Sequence, residues 1–577
     1  MQRTEIDTYI DSMKDEMLED VKTLVRIDSE KGDAAGDKPF GEGPAKALKA
    51  ASGMMKKYGL RITNYDNYVV AGDFGPADKE LDILAHLDVV PVSKDWTVTQ
   101  PFEPLIRDGK IYGRGTSDDK GPAVAALYAI RAIHDLHIPL KKGVRLILGS
   151  DEECGSADLE YYYSKEKEAP CTFSPDANWP VINIEKARLA LPFHAEFNLK
   201  ETENKEKAGA DIVSITAGTK VNVVPGSASA QVAGISFEDL QKYAQKAAET
   251  TKAVYTLSEG CEPAANDQPA ANNQPAANGQ PEANNQPEDN NQPAANNQPE
   301  ANDQPAANDQ PAANDQPEAN NQPAANNQPA ANDQPEANNQ LAANGQPEAN
   351  NQPAVNGQPG IKSASAVWKI DVKGQTAHAS TPEKGNNALT ALLTLLSCLP
   401  LKDTRANKTI RGISQLFAHG VTDGSSQGIA MSDEKSGSVT ITLNMLSFDG
   451  HTLTGAYDCR APLCATDENL TEVLREHLRE NGLTMDKGKM TPAHHVPADT
   501  PFVKTLLETY EEYTGKPGRA LYTGGGTYVH ELKRGVAFGC ESEDVDNHMH
   551  GDDEFMVVDM ITLSAKIFAA AILKICG

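Results

Sequence analysis

The chain has no long uninterrupted apolar run, no paired-cysteine motif and no excess of positive charge, and each absence removes a class of protein. Its most hydrophobic stretch, Phe555 to Ile575, is broken by Asp559, Lys566 and Lys574, so it reads as an amphipathic core helix rather than a membrane span. The eight cysteines are scattered without a Cys-x-x-Cys pair, which fits reduced thiols in a cytoplasmic protein better than a disulfide framework. Net charge is −29, which argues against a nucleic-acid or anionic-membrane partner. The opening residues, Met1-Gln-Arg-Thr-Glu-Ile-Asp, contain no apolar segment, so no secretory signal is expected.

The deepest absence is local. Residues 263–360 hold no Lys, no Arg and no aromatic, one Leu and one Val. They carry 12 of the negative charges, which leaves −17 on the other 479 residues. Gln recurs every six residues from Gln268 to Gln358, mostly as Gln-Pro-x-Ala-Asn-x. Such a repeat cannot bury a core, so disorder with some polyproline character is expected. A repeat expansion in a surface loop is the plainer reading, and an adhesive or binding surface role for the tract is the alternative. The flanks of the tract are expected to be neighbours in the fold.

The remaining sequence is rich enough in apolar residues for more than one domain. Thr4 to Ile27 has helical spacing, and Gly43 to Tyr58 reads as a second helix stopped by Gly59. Tyr68–Ala71, Leu81–Ala85 and Gly143–Leu148 read as strands. From about Ala187 the pattern changes. Strands at 189–197, 211–217, 366–372, 438–446 and 453–460 alternate with helices near Ser236–Thr250 and Asn387–Leu399, which suggests a second, α+β domain. After Glu480 the α/β pattern returns, with a helix at Pro501–Tyr513.

Acidic residues and a histidine recur just after the short apolar strands. His86-Leu-Asp88 ends one strand; two apart in extended chain, His86 and Asp88 face the same side. This suits a metal-binding imidazole whose other nitrogen is held by a carboxylate. Asp118 and Asp119 stand together in the glycine-flanked turn Gly113-Arg-Gly-Thr-Ser-Asp-Asp-Lys-Gly. Adjacent carboxylates repel unless water or a cation reaches both. Glu152 and Glu153 follow the strand ending at Leu148, and Asp176 lies in the turn Ser174-Pro-Asp-Ala-Asn-Trp-Pro180. In an open α/β sheet the carboxyl ends of the strands share one edge, where ligands bind. His86, Asp118, Glu152 and Glu153 would converge there with Asp176 close by. One histidine with several carboxylates suits Zn²⁺, Mn²⁺ or Co²⁺, singly or as a pair. His548 and His550 could add a second imidazole. Tyr522-Thr-Gly-Gly-Gly-Thr-Tyr528 is a loop whose glycines would let backbone approach a ligand; no Gly-Lys-Ser/Thr follows to suggest a phosphate cradle.

Taken in order, Leu84-Ala-His86-Leu-Asp88-Val-Val-Pro91, the Asp118 turn, Asp151-Glu-Glu153 and His550-Gly-Asp-Asp-Glu554 resemble the aminoacylase/carboxypeptidase superfamily of dinuclear zinc hydrolases. Ser174-Pro-Asp176, Gly374-Gln-Thr-Ala-His378-Ala-Ser-Thr-Pro382 and the glycine loop look most like its PepV/Sapep-type bacterial dipeptidases. The resemblance implies a zinc-exopeptidase-like α/β/α catalytic domain, 1–186 and 491–577, with an inserted α+β lid at 187–490 that carries the repeat. It implies two divalent ions, Zn²⁺ first and Mn²⁺ or Co²⁺ as alternatives. His86, Asp118 and Asp176 would hold one, and Asp118, Glu153 and His550 the other. Asp118 is preferred to Asp119, and His550 to His548, by the family's spacing; a cis peptide after Asp118 is also implied. Glu152 would be the general base, Asp88 would orient His86, and His378 would reach the scissile carbonyl. Arg460 would clamp the substrate carboxylate bidentately, with Asn222, Gly524, Gly525 and Gly526 as further substrate-binding candidates. The implied activity is metal-dependent hydrolysis of short peptides by a monomer. An N-acyl-amino-acid amidohydrolase or a carboxypeptidase is the alternative on the same metal core.

Overall fold

The structure is a computed structural model that describes residues 2–197, 209–260 and 366–577. The repeat expected to be disordered lies outside them. The expected first helix is two, Gln2–Ser12 and Lys14–Val25, hinged at Met13. Both bury the predicted apolar face, Ile6 and Ile10 in one and Met17, Val21 and Leu24 in the other. The second helix, Glu42–Lys57, ends before Gly59, whose φ of +88° favours glycine.

These helices pack on a mixed nine-stranded sheet. Its order is Arg61–Tyr65, Val69–Phe74, Gly143–Gly149, Lys79–His86, Cys171–Ser174, Gly535–Ala537, Val181–Glu185 and His494–His495, with Ala520–Thr523 also paired to Val181–Glu185. The four strands from Gly143–Gly149 to Gly535–Ala537 are mutually parallel. Parallel strands are covered on both faces, and the apolar residues of Lys79–His86 and Gly143–Gly149 are accordingly buried. The helix Lys120–Asp135 is buried almost all round. Its alanines, Ala123, Ala125, Ala126, Ala129 and Ala132, let neighbouring elements approach closely, and each larger buried side chain such as Ile130 contributes about 1.5–3 kcal/mol. The expected closing helix is Val558–Cys576; Phe555–Val557 ahead of it is instead a strand paired with Lys110–Tyr112.

A second nine-stranded sheet follows the order Val254–Glu259, Val367–Lys373, Ser227–Ala233, Asp211–Ala217, Thr440–Phe448, Thr452–Ala461, Phe193–Glu196 and Thr484–Met485, with Ala187–Leu189 paired to Thr452–Ala461. All its pairings are antiparallel. The strand expected over 189–197 is two short ones, because Pro192 lacks the N–H that a continuous ladder needs. The helices Phe237–Thr251 and Ala388–Cys398 begin where expected. Ser236 Oγ accepts the Asp239 N–H (3.1 Å) and Asn387 Oδ1 the Thr390 N–H (3.0 Å). The two sheets have separate apolar cores, one drawn from residues 6–181 and 496–576, the other from 187–485. The strands Val254–Glu259 and Val367–Lys373 form an antiparallel pair, and Gly260 N–H donates to Val367 O (2.8 Å). The repeat is thus inserted between two adjacent strands.

Among the described residues, no helix is long and apolar enough to cross a membrane. The seven cysteines among the described residues are all free.

Candidate active site

The carboxyl ends of the parallel strands bring His86, Glu152, Glu153 and Asp176 to one edge; Asp118 and His550 reach it from the turn after Lys110–Tyr112 and the loop before Phe555–Val557, strands of a separate antiparallel sheet. His86 closes the strand Lys79–His86 and is fully buried. Its Nδ1 is 3.1 Å from Asp88 O and 3.5 Å from Asp88 Oδ1, so Asp88 orients the ring. That leaves Nε2 pointing at Asp118 Oδ1 (2.8 Å) and Asp176 Oδ2 (3.7 Å). The Asp88 carboxylate also accepts the N–H groups of Glu152 (3.2 Å) and Glu153 (3.1 Å), fixing the short turn Glu152–Cys154 against the histidine.

Asp118 lies between both imidazoles. Its Oδ2 is 2.7 Å from His550 Nε2, which is also 3.1 Å from Glu153 Oε1. Asp119 turns away, accepting the His86 N–H (3.1 Å). The Asp118–Asp119 peptide is cis. His86, Asp118 and Asp176 form one group of potential donors and Asp118, Glu153 and His550 another; within each group the donor atoms lie within 4.8 Å of one another. His550 has φ +61°, and the loop that carries it is pinned by Asp553, whose Oδ1 accepts the N–H groups of Thr97 and Val98 (both 2.8 Å).

The charges show why this set suits cations. Burial disfavours charge on Glu152, Asp176 and Glu153, and together with the neighbouring carboxylates it raises all three, Glu153 to about 7. Burial also opposes the charged form of His550, yet hydrogen bonds to Asp118 and Glu153 raise its pKa to about 11. Two imidazoles and a crowd of acids therefore share too little positive charge, the state a divalent ion relieves by displacing protons. The mixed nitrogen and oxygen donors fit Zn²⁺, Mn²⁺ or Co²⁺. The Glu152 side chain accepts no hydrogen bond among the described residues.

Glu554 has a part that sequence reasoning missed. Its buried carboxylate accepts the N–H groups of Gly115 (3.0 Å), Ser117 (3.0 Å) and Asp118 (3.4 Å) and pairs with buried Arg114. It thereby shapes the turn that presents Asp118. The only signal in the sequence is its spacing from His550.

His378 lies in a separate two-stranded sheet, Ala377–His378 paired with Val223–Val224. Its Nδ1 lies 2.6 Å from Ser380 Oγ and 3.2 Å from the Ser380 N–H, which leaves Nε2 without a partner among the described residues. Burial first, then the Arg460 charge, with smaller effects of His550 and Arg188 and against the opposing Asp458, lowers its pKa to about 4. Asn222 O accepts the Ala379 N–H (2.9 Å), which places Asn222 beside this histidine.

Arg460 differs from expectation. Its Nε and Nη2 are already bidentate on buried Asp458 (2.6 and 3.0 Å), while Nη1 donates to Gly524 O. In the glycine loop, Gly524 needs its missing side chain, because a Cβ would stand 2.8 Å from Ser380 Cβ. At Gly525 and Gly526 the nearest atoms would be 3.3 and 3.7 Å away, so no comparable demand exists. The loop's far end is held by buried Glu185, which accepts from Thr527 Oγ1 (2.8 Å) and pairs with His530 Nδ1 (3.0 Å). Glu185 also had no signal in the sequence.

Comparison with known proteins agrees with this architecture. The chain is 27% identical over 576 residues to the Beta-Ala-Xaa dipeptidase of Lactobacillus delbrueckii subsp. lactis, covering 98% of this chain and 97% of that protein. Its fold resembles the crystal structure of human carnosine dipeptidase 1, with a TM-score of 0.52 at 13% identity, covering 100% and 99% of the two chains. The profile of peptidase family M20/M25/M40 matches residues 83–574, and the chain belongs to that family.

Proposed function

We propose that this peptidase is a dipeptidase that works with two divalent ions, Zn²⁺ first and Mn²⁺ or Co²⁺ as alternatives. The observation that carries the reading is the two donor groups joined at Asp118, with Glu152 held next to Glu153 by its N–H on Asp88. His86, Asp118 and Asp176 would hold one ion, and Asp118, Glu153 and His550 the other. Ions held there supply Lewis acidity and water of lowered pKa.

The rest falls to the chain's own residues. Glu152 takes the proton of the attacking water and delivers it to the leaving amine. Asp88 keeps Glu152 in place through its backbone N–H and orients His86. His378 presents Nε2–H to the developing oxyanion; being neutral, it donates without needing to titrate. Arg460, Asn222 and the loop Gly524–Gly526 line the pocket for the peptide's C-terminal residue. A carboxylate held there leaves room for few residues before the metals, which accords with the dipeptidase names of the relatives. We assign 1–186 and 491–577 to the catalytic domain and 187–490 to a lid, a division supported by the two separate cores. One chain supplies both His378 and His550, so a monomer suffices.

The test is hydrolysis by metal-stripped protein re-supplied with Zn²⁺ or Mn²⁺. The panel is a free dipeptide, its N-acetylated form and a tetrapeptide. Cleavage of the dipeptide alone, and only with metal, is expected. Preference for the acetylated compound would move the enzyme to deacylation, and preference for the tetrapeptide would move it to carboxypeptidase action.

A further inference from the structure

Four consecutive backbone N–H groups, those of residues 150–153, follow the strand Gly143–Gly149, and two buried carboxylates accept them all. Asp88 takes those of Glu152 and Glu153. Asp158, on the helix Ala157–Lys165, takes those of Ser150 (2.6 Å) and Asp151 (3.0 Å) on its Oδ2. Its Oδ1 accepts the Leu159 N–H (2.8 Å), so the carboxylate is held on both oxygens. The turn that carries Glu152 is thus pinned at its far end by Asp88 and at its entry by Asp158.

Asp158 Oδ2 has a third donor, the Tyr528 hydroxyl. Both side chains are buried. Tyr528 comes from a distant part of the chain and opens the short helical turn Tyr528–Glu531 directly after the glycine loop. The residue before it, Thr527, is fixed on Glu185 through its N–H (3.2 Å) and Oγ1 (2.8 Å). The tyrosine ring meets the His86 ring edge to face, with centroids 6.0 Å apart and planes at 88°. Gly149 stands opposite His86 in the parallel pair of strands, and a Cβ there would overlap both the Tyr528 hydroxyl and Asp158 Oδ2. The strand end therefore needs glycine for this close approach. One side chain, entering from the end of the glycine loop, backs His86 with its ring and the entry to Glu152 with its hydroxyl.

We propose that Tyr528 and Asp158 are positioning residues for Glu152. The tyrosine hydroxyl fixes the Asp158 carboxylate, and that carboxylate sets where the turn after the strand presents the base. The inference rests on Glu152 being the general base of the dipeptidase reading. A misplacement of about 1 Å in a reacting group can cost about 10²-fold in rate. Loss of one hydrogen bond loosens the turn without deleting it, so a kcat lower by about tenfold to a hundredfold is expected.

Tyr528→Phe removes the hydroxyl and keeps the ring against His86. Wild type, Tyr528→Phe, Glu152→Ala and the double variant are compared, all full-length and zinc-loaded, on one free dipeptide. Tyr528→Phe should lower kcat by that factor, leave KM within about threefold and keep two zinc ions per chain. In the Glu152→Ala background it should cost no more than about twofold, because placement of an absent base cannot matter. A residue that merely stabilised the fold would cost the same in both backgrounds. Equal losses in the two backgrounds, or no loss in either, would overturn the assignment. So would zinc content falling while turnover per bound zinc stays constant, because the tyrosine would then serve His86 alone. Melting temperature checks folding. Should Tyr528→Phe fail to fold, Asp158→Asn decides by the same criteria, since it keeps the size of the side chain and weakens the same hydrogen bonds. A wild type that cleaves no dipeptide with zinc, or Glu152→Ala turning over near the wild-type rate, would instead overturn the reading beneath.

Discussion

Replacing Glu554 should weaken metal binding although Glu554 belongs to neither donor group. Its carboxylate holds the N–H groups of Gly115 and Ser117 at 3.0 Å and pairs with Arg114, which is 2% exposed. Glu554→Ala leaves Arg114 as a buried unpaired charge, costing about 3–5 kcal/mol. The orphaned N–H groups add about 1–3 kcal/mol each, though such costs do not simply sum. Against a typical stability of about 5–15 kcal/mol, that variant sits near the edge of folding. Glu554→Gln is the informative change. Its amide oxygen still accepts the backbone N–H groups, while the amide nitrogen facing Arg114 can only donate, so the Arg114 contact is lost. The chain should fold, with the turn before Asp118 relaxed. Loss of support behind a ligand typically costs 10–100-fold in metal affinity, and that range is the expectation here. Zinc titration in competition with a chelating dye measures it, and a urea melt of the metal-free protein measures the structural cost separately. Unchanged zinc affinity alongside lowered stability would refute the argument, because Glu554 would then hold the fold but not the geometry of Asp118.

Other expectations follow from single contacts. Asp82 is buried, and burial raises its pKa to about 6 even though Ala169 N–H donates to it. A raised carboxyl costs nothing below its unfolded pKa near 4, costs progressively more as pH climbs from about 4 to about 6, and costs a constant amount above that. Asp82→Asn should therefore gain about 2–3 kcal/mol on wild type between pH 4.5 and 7.5, read as a difference in urea midpoints; a pH-independent difference would contradict this. Gly524→Ala places a Cβ 2.8 Å from Ser380 Cβ and should push the glycine loop off the His378 segment. A fall in kcat/KM of about tenfold or more is expected, with metal content unchanged. Replacing residues 261–365 by a short turn joins strands already paired at Gly260 and Val367. Hydrolysis should be unchanged and stability raised by at most about 3 kcal/mol from the shorter closure; lost activity would show that the repeat matters to the chemistry.

Glu152, Glu153 and Asp176 were legible because each follows a parallel strand within a few residues, whereas Asp118 follows Lys110–Tyr112, which lies outside that sheet. Asp118 could be told from Asp119 only through the family's spacing; in the structure Asp118 lies between two imidazoles and Asp119 turns to the His86 backbone. Glu554, Glu185 and Tyr528 were not legible. Their partners are far away in sequence, Gly115, Thr527 and Asp158, and no periodicity marks such contacts. Arg460 read as a free clamp because an i,i+2 pair on one face of a strand does not reveal whether its side chains bond each other; here the fork is spent on Asp458. Among the secondary elements, the break at Met13 has no proline or glycine to announce it. The helix Arg405–Leu416 escaped because it opens on Arg-Ala-Asn-Lys-Thr, polar but for one alanine, and its buried face begins to repeat only at Ile410 and Ile413.

The central claim is a two-ion site in which Glu152 moves the proton without holding either metal. It is tested most directly by bound metal and dipeptide turnover in wild type and Glu152→Ala, measured on the same preparations. The account predicts two ions per chain in both proteins, with turnover in the variant lower by about 10²–10⁴-fold. A Glu152→Ala protein that binds two ions and still turns over near the wild-type rate, or a wild type that is fully active with one ion, would contradict it.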